Sequence, residues 1–161
     1  MQLCKLINMK EDIKEQPCTT VRVERPFKHS VKVQMRFNDI DMLGHLNNSV
    51  YFSYFDIGKA DYFNTIRGTK NHWGKLDIVI ANVNCDFIAP TYYTESIAVK
   101  TQVTHFHNKS FHVLQALMNE TTGQIKALCR SVMVGFDPAT GTSAPLSQEW
   151  KDAITNYEGM E

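Results

Sequence analysis

The chain has 161 residues, of which 43% are hydrophobic, a length and composition that suit one soluble globular domain with a core of its own. Its 17 Lys and Arg residues are balanced by 17 Asp and Glu residues. No excess of positive charge is available for a nucleic acid or an anionic membrane, so neither is expected as a partner. No apolar run approaches the roughly 18 residues of a membrane span, and the polar opening segment lacks the apolar block of a signal peptide. We therefore expect a cytoplasmic protein.

The sequence offers little support for a disulfide framework or a metal centre. None of the four cysteines forms a C-x-x-C pair, and the last two lie within strand-like patterns, so we predict reduced thiols; these residues are Cys4, Cys18, Cys85 and Cys129. His105, His107 and His112 are the candidate metal set, but no Cys or carboxylate pair at ligand spacing accompanies them. No metal and no redox cofactor are expected.

The chain divides into a short extension and one folded unit. Residues 1–28 carry mixed charge, two prolines and no sustained period, which predicts a flexible or loosely docked extension. Residues 29–161 are expected to form the single domain. From His29 to Phe37 apolar and polar residues alternate, which predicts a first strand with one buried face formed by Val31, Val33, Met35 and Phe37.

A long helix is predicted from about Ser49 to Arg67. Its N-terminus can be capped by Asn47, Asn48 or Ser49, and Gly68 suits a left-handed residue at its end. Gly58 inside the helix is expected to allow close packing on a strand. The apolar coverage is wide enough to indicate a helix enclosed by a sheet, and the residues expected to be buried are Val50, Tyr51, Tyr54, Phe55, Ile57, Tyr62, Phe63 and Ile66.

Four further strands are predicted after the helix. They cover residues 79–87, 96–106, 110–118 and 124–136, with Val79, Ala81, Val83, Cys85 and Phe87 on one side of the first of them. The segment from Asp137 to Gly141 reads as a turn, and Ser147 can cap a short last helix that runs through Tyr157. One strand, a long helix and four successive strands predict an α+β domain, in which a five-stranded antiparallel sheet wraps around one helix.

The segment from Asn38 to Tyr51, N-D-I-D-M-L-G-H-L-N-N-S-V-Y, holds most of the candidate chemistry. An aspartate before a helix has two interpretations. Asp41 can simply be a negative charge that stabilises the positive end of the helix. Alternatively, its carboxylate can attack a carbonyl carbon, or activate water towards it, while helix N–H groups hold the carbonyl oxygen. The spacing alone leaves both interpretations open, and Asp39 is expected to support the loop through hydrogen bonds to the backbone.

This segment resembles the signature of a known family. The pattern R-F-x-D-x-D-x-x-G-H-x-N-N-x-x-Y from Arg36 to Tyr51 is similar to that of the 4-hydroxybenzoyl-CoA thioesterase-like hotdog family, and H-x-N-N-x-x-Y also resembles a segment of plant-type acyl-ACP thioesterases. Weaker similarities lie at Phe87-x-x-Pro90, at Lys109-Ser110 and at Asp137. The resemblance implies a hotdog-fold hydrolase acting on acyl-CoA or acyl-ACP thioesters, with coenzyme A or the carrier protein as part of the substrate.

The resemblance also implies roles for individual residues. Asp41 matches the catalytic aspartate, a nucleophile or general base. The carbonyl site is expected near the backbone of Asn48, with Gly44 allowing close approach. His45 matches the histidine of the acyl-ACP enzymes, but their intervening asparagine is Leu43 here, so that three-residue arrangement is not copied. The remaining residues of the motif assigned to the substrate site are Asn47, which mainly scaffolds, and Tyr51, which packs at the helix start.

Two further sets of expectations concern the edge of the site and the assembly. Lys109 and Ser110, in a turn, are candidates for binding the phosphates of coenzyme A, and Arg130 is a weaker one. An open sheet edge, together with the behaviour of the resembled family, predicts a homodimer or homotetramer with active sites between subunits.

Two other functions remain open at this stage. Hotdog hydratases act on enoyl thioesters with an Asp and a His, although the spacing from Asp41 to His45 and the adjoining asparagines fit their motif poorly. A non-catalytic protein that binds acyl thioesters is also compatible with the fold.

Overall fold

The structure is a computed structural model that describes residues 23, 25–68 and 77–160. Its sheet has the order β1-β3-β4-β5-β2, every neighbouring pair is antiparallel, and a two-residue strand, β6, pairs with β5. The strands are β1 (His29–Val33), β2 (Ile78–Phe87), β3 (Ile97–Phe106), β4 (Ser110–Asn119), β5 (Ile125–Asp137) and β6 (Thr142–Ser143), and the helices are α1 (Asn48–Arg67) and α2 (Gln148–Glu158). The predicted architecture of a five-stranded antiparallel sheet around one long helix is confirmed.

Helix α1 lies across one face of the sheet and divides the core into two parts. Its N-terminal half, with Tyr51, Tyr54 and Phe55, packs on β3, β4 and β5, while its C-terminal half joins Trp150 of α2 in a second cluster. The α1 residues in these two clusters are buried or partly buried, as predicted for most of this helix face. Ile57 is the exception: it is 48% exposed, because α1 is covered by the sheet on one side and by α2 only near its end. Gly68 ends the helix with a positive φ of 73° but an extended ψ of 146°.

The first strand is shorter than predicted. It ends at Val33, and residues Phe37–Asp39 form a 3-10 turn. Val33 and Met35 are buried as the alternation predicts, but the chain turns at Arg36 and points Phe37 outward, 81% exposed. The prediction that Phe37 belongs to the buried face is therefore wrong, because a period of two holds only while the backbone stays extended.

An irregularity in β2 changes which residues share a face. Ile80 pairs with Met133 and Asn82 pairs with Val132, so Ala81 is an extra residue in a bulge. Val83 and Cys85 face α1, whereas Val79 lies on the other side of the sheet, since a one-residue insertion inverts the alternation. The predicted single apolar side of this strand is thus interrupted at Ala81. Cys85 stands opposite Cys129, and both are free thiols.

The other face of the sheet is partly covered by the end of the N-terminal extension. Val23 and Phe27 pack against Leu114, Ala116 and Leu128, which form a third apolar cluster on the side away from α1. Of the predicted extension, residues 1–22 and 24 lie outside the described residues, and Cys4 and Cys18 are among them. No helix within the described ranges is long and apolar enough to span a membrane.

Candidate active site

The loop before α1 is closed by its own backbone. Ile40 and Leu46 form an isolated antiparallel bridge, and between them the N–H of Asp41 donates to the carbonyl of His45 at 3.0 Å. The N–H of Gly44 donates to the carbonyl of Asp41 at 3.0 Å. Gly44 has a φ of 80°, a conformation that side-chain-bearing residues rarely adopt. This tight loop brings Asp41 and His45 side by side.

The carboxylate of Asp41 is held but still accessible. Its Oδ1 accepts a hydrogen bond from the N–H of Leu43 at 2.8 Å, and a quarter of its side chain is exposed. Nδ1 of His45 lies 3.8 Å from the same oxygen, which is too far for a hydrogen bond but close enough for electrostatic interaction when the imidazole is protonated. The carboxylate therefore has a fixed direction and remains accessible from solvent.

The N-terminus of α1 lies directly after this loop. Asn47 is the N-cap: its side chain accepts hydrogen bonds from the N–H of Ser49 at 2.9 Å and from the Ser49 hydroxyl at 2.8 Å. The carbonyl of Asn47 accepts from the N–H of Val50. No acceptor among the described residues engages the N–H of Asn48, the first residue of the helix. That free donor, at the positive end of the helix, is the kind of group that stabilises a developing oxyanion.

Tyr51 links the helix start to a second loop that sequence reasoning did not find. Its buried hydroxyl donates to Oγ1 of Thr91 at 2.9 Å, and the carbonyl of Thr91 accepts from the N–H of Leu46 at 2.8 Å. Burial raises the pKa of Tyr51 above its ordinary value. Buried Lys126 secures the same loop through Glu95 at 2.6 Å. The only signal for Thr91 in the sequence is that it follows Pro90 in the weak F-x-x-P similarity.

Asp39 is fixed by contacts on both sides of the loop. Its Oδ2 accepts from the N–H of Arg36 at 2.7 Å and from the buried hydroxyl of Tyr54 at 2.5 Å. Its carbonyl accepts from the N–H of Asn47 at 2.9 Å. Burial and the neighbouring Asp39 carboxylate raise the pKa of Tyr54 well above its usual range, so the phenol stays a donor. Asp39 therefore scaffolds the loop, and Tyr54 is a positioning residue that the sequence pattern identified only as apolar core.

The remaining predicted substrate-binding residues lie elsewhere in the chain. Lys109 lies in the turn between β3 and β4, and Ser110 is the first residue of β4. Both are next to the C-terminal half of α1, and the structure does not bring them to Asp41. Nζ of Lys109 contacts the carbonyl of Ser143 at 3.5 Å. Arg130 points to the face of the sheet away from α1 and pairs with Asp86 at 2.8 Å. A site that uses Asp41 together with Lys109 thus needs more than one copy of the chain.

The three histidines near this turn are neighbours but are not grouped with other ligands. The rings of His105 and His107 lie 6.0 and 5.9 Å from that of His112. Across residues 23, 25–68 and 77–160, no three or more His, Cys, Asp or Glu side chains are placed to hold a metal ion together. The chemistry that the described site can support is that of a carboxylate next to a helix N-terminus.

Comparison with known proteins identifies the family and the fold of the chain. A family model described as the thioesterase-like superfamily matches residues 35–154. The Bacillus subtilis protein YsmA is 28% identical over 128 residues, which cover 76% of this chain and 82% of YsmA. A Thermus thermophilus thioesterase solved with coenzyme A and Zn is 27% identical, with a TM-score of 0.73 over 83% of this chain and 96% of that one. A Pseudomonas aeruginosa protein is 26% identical, with a TM-score of 0.70 over 81% and 91% of the two chains. The predicted hotdog fold is confirmed, and the chain belongs to the thioesterase-like superfamily.

Proposed function

We propose that this protein hydrolyses an acyl thioester of coenzyme A or of acyl carrier protein to the free acid and the thiol. The observation that carries the proposal is the accessible Asp41 carboxylate in the loop that leads into α1, together with the unengaged N–H of Asn48 at the start of that helix. The related thioesterase from Thermus thermophilus was solved with coenzyme A, which supports acyl-CoA as the first substrate to test. The proposal requires no metal or redox cofactor, because these groups supply both the nucleophile or base and the oxyanion site.

The reaction can follow two routes from the same geometry. In the first, a carboxylate oxygen of Asp41 bonds to the carbonyl carbon, the C–S bond breaks, and the thiolate leaves; water then cleaves the resulting anhydride and releases the acid. In the second, Asp41 takes a proton from water as that water attacks. In both, the N–H of Asn48 stabilises the negative charge that develops on the carbonyl oxygen. We assign to His45 the protonation of the leaving thiolate or the orientation of the water.

The direct test measures thiol release from short, medium, long and aromatic acyl thioesters on both carriers. Asp41→Asn and Asp41→Ala should lose nearly all hydrolysis while remaining folded. Asp137→Asn is the matched control, because Asp137 also accepts a hydrogen bond from the N–H two residues on, at 2.9 Å, in a turn far from the site. Hydrolysis that is unchanged in both Asp41 variants would refute the mechanism.

His45→Ala addresses the second residue separately. A role in the chemical step predicts a fall in kcat of about a hundredfold with little change in KM. An unchanged kcat would leave His45 with a structural role only.

The same assays separate the two other functions. A hydratase would consume the enoyl absorbance of crotonyl-CoA without releasing thiol. A non-catalytic binding protein would bind acyl-CoA in calorimetry without turnover by the wild-type chain. Either result would replace the hydrolase proposal.

We further propose that the working unit is at least a homodimer joined along β2. Among the described residues β2 pairs only with β5, so its outer backbone edge is open, and Ile80, Val83 and Phe87 are each at least 40% exposed. A long apolar edge strand is a site for association, and two identical strands can pair with twofold symmetry. Antiparallel pairing would place the Phe87 end of one copy beside the Ile78 end of the other. Lys109 and Ser110 of one copy would then lie at the same end of the joined sheet as Asp41 of the second.

A further inference from the structure

A cavity lies on the face of the sheet opposite α1, apart from the Asp41 loop. It has a volume of about 190 Å³ and is formed where β2, β3, β4 and β5 run side by side. Leu114 forms part of its floor and belongs to the apolar cluster on the outer face, not to those under α1. Space of this size equals about six water molecules. It therefore fits a small ligand, or one end of a larger ligand.

The lining of this cavity is basic. It includes Arg25, Arg130, His105 and His112, and none of the residues that line it is acidic. Arg130 is already paired with Asp86 at 2.8 Å. Arg25 instead donates to two neutral carbonyls, those of Val103 at 3.1 Å and Glu158 at 3.4 Å. No ion pair within the described part of the chain includes Arg25, so its charge is available to an anion.

Two buried side chains of the cavity wall have a polar atom that no described residue engages, Oε1 of Gln102 and Oγ of Ser131. Ser131 pairs with Val83 and Val113 on the α1 side of the sheet. Gln102 is only 2% exposed, and its Oε1 accepts no hydrogen bond from any described residue. Its register partner is Leu114, so Gln102 points to the outer face with the rest of the cavity wall. Buried amide oxygens are normally satisfied by a donor. The ligand that fits this cavity should therefore carry a negative charge for the guanidinium and an O–H donor for Gln102.

We propose that this cavity binds a small phosphate that carries an O–H group, with Arg25 holding the phosphate oxygens and Gln102 accepting the O–H hydrogen bond. A guanidinium matches the geometry of phosphate oxygens, which favours phosphate over a single-charge anion. His105 and His112 add positive charge when protonated, and Asn82 adds a polar group to the lining. The ligand is either a free phosphate compound or the 3′-phosphate of coenzyme A. The proposal does not depend on the thioesterase reaction, because the cavity and Asp41 lie on different faces of the sheet.

The test is an NMR titration of the full-length protein with inorganic phosphate. Saturable shifts should be confined to amides of residues 102–105, 112–114 and 130–132. Arg25→Gln should raise Kd about tenfold or more, as expected for the loss of a charge-assisted hydrogen bond. Lys28→Gln is the matched control, because Lys28 also donates to a carbonyl of α2, that of Tyr157 at 2.8 Å, but does not line the cavity; its Kd should not change.

Sulfate tests the part assigned to Gln102. Sulfate has the same shape as phosphate but no proton to donate at neutral pH, so it should bind more weakly than phosphate. Gln102→Leu should remove this preference, and it provides a second variant if Arg25→Gln does not fold. Three results would each overturn the proposal. The first is equal affinity of the wild type for sulfate and phosphate, and the second is an Arg25→Gln variant that binds phosphate like the wild type. The third is the absence of any saturable shift on titration with phosphate.

Three probe ligands then identify the source of the phosphate. Tighter binding of coenzyme A than of dephospho-coenzyme A, lost in Arg25→Gln, would assign the cavity to the 3′-phosphate. Binding of glycerol 3-phosphate that persists with saturating coenzyme A would assign it to a free phosphate compound.

Discussion

Gly58 of α1 lies so close to Val99 of β3 that a methyl group on Gly58 would overlap the Val99 side chain. The same methyl group would lie 3.1 Å from Nε2 of Gln115, which donates to the carbonyl of Phe55 at 2.8 Å. The glycine thus allows the helix to approach the sheet closely enough for a strand side chain to bond its backbone. This contact sets the distance between α1, whose N-terminus forms the candidate oxyanion site, and the sheet.

Gly58→Ala should destabilise the protein. Alanine gains about 1 kcal/mol of helix propensity over glycine, but overpacking a rigid helix–sheet contact typically costs about 1–3 kcal/mol. Urea unfolding should therefore show a net loss, and a double variant with Val99→Ala should recover stability relative to Gly58→Ala. Ser53→Ala, on the exposed side of the helix, is the control. A Gly58→Ala protein as stable as the wild type would show that the contact relaxes without cost.

Tyr54→Phe should loosen the loop that carries Asp41. The variant removes the 2.5 Å hydrogen bond to Asp39 and leaves a partly buried carboxylate with one partner fewer, which costs about 1–3 kcal/mol of unfolding free energy. Because Tyr54 acts through Asp39, kcat should fall, while the preference of the enzyme for acyl groups of a given length should stay unchanged. Tyr93→Phe, at an exposed position, should change neither quantity. Equal stability of the two variants would contradict the positioning role.

The elements of the fold were predictable because each has a regular local pattern. Four strands show a period of two, and α1 carries caps at Asn47 and Gly68, so the bounds differ from the prediction by one residue or a few. The points at which these patterns are interrupted have no regular local pattern in the sequence that predicts them. The 3-10 turn that exposes Phe37 and the bulge at Ala81 arise where the backbone leaves its period, and tertiary contacts select those points.

The site was predictable to the extent that it is local. Asp41, Gly44, His45 and Asn48 lie within eight residues, so one motif places them together. Tyr54 and Thr91 reach the loop only through the packing of α1 and the sheet, which sequence spacing does not encode. The contribution of Lys109 stays a prediction, since it depends on how two copies of the chain pair.

His112 should make stability depend on pH. Burial, followed by the charges of His105 and His107, lowers the pKa of His112 below its usual value; Arg130 lines the same cavity. The folded state therefore binds the proton less readily than the unfolded state. The stabilisation is full above the unfolded pKa of about 6.5 and is lost as the pH falls through and below that value.

Unfolding measured in phosphate-free buffer between pH 7.5 and 5.5 should show this loss. The loss of stability on acidification should be smaller in His112→Gln than in the wild type. In His105→Gln, which removes one neighbouring charge, the loss should be intermediate between those of the wild type and His112→Gln. A His112 variant with the same pH dependence as the wild type would contradict this assignment.

Pairing along β2 should make activity depend on assembly. Light scattering should give a mass of at least twice the 18.4 kDa of one chain. Val83→Lys places a charge on the apolar edge and should reduce that mass and hydrolysis together, although Asp41 is intact. Ser30→Lys, a substitution of an exposed residue on the opposite edge strand β1, should leave both the mass and the hydrolysis unchanged.

If the two copies share each site, a mixture of inactive Asp41→Ala and weakened Lys109→Ala chains should regain activity after subunits exchange, because one site in each mixed dimer has both residues. A wild-type chain that is active as a monomer, or a mixture without recovery, would show that Asp41 and Lys109 do not act across a subunit boundary.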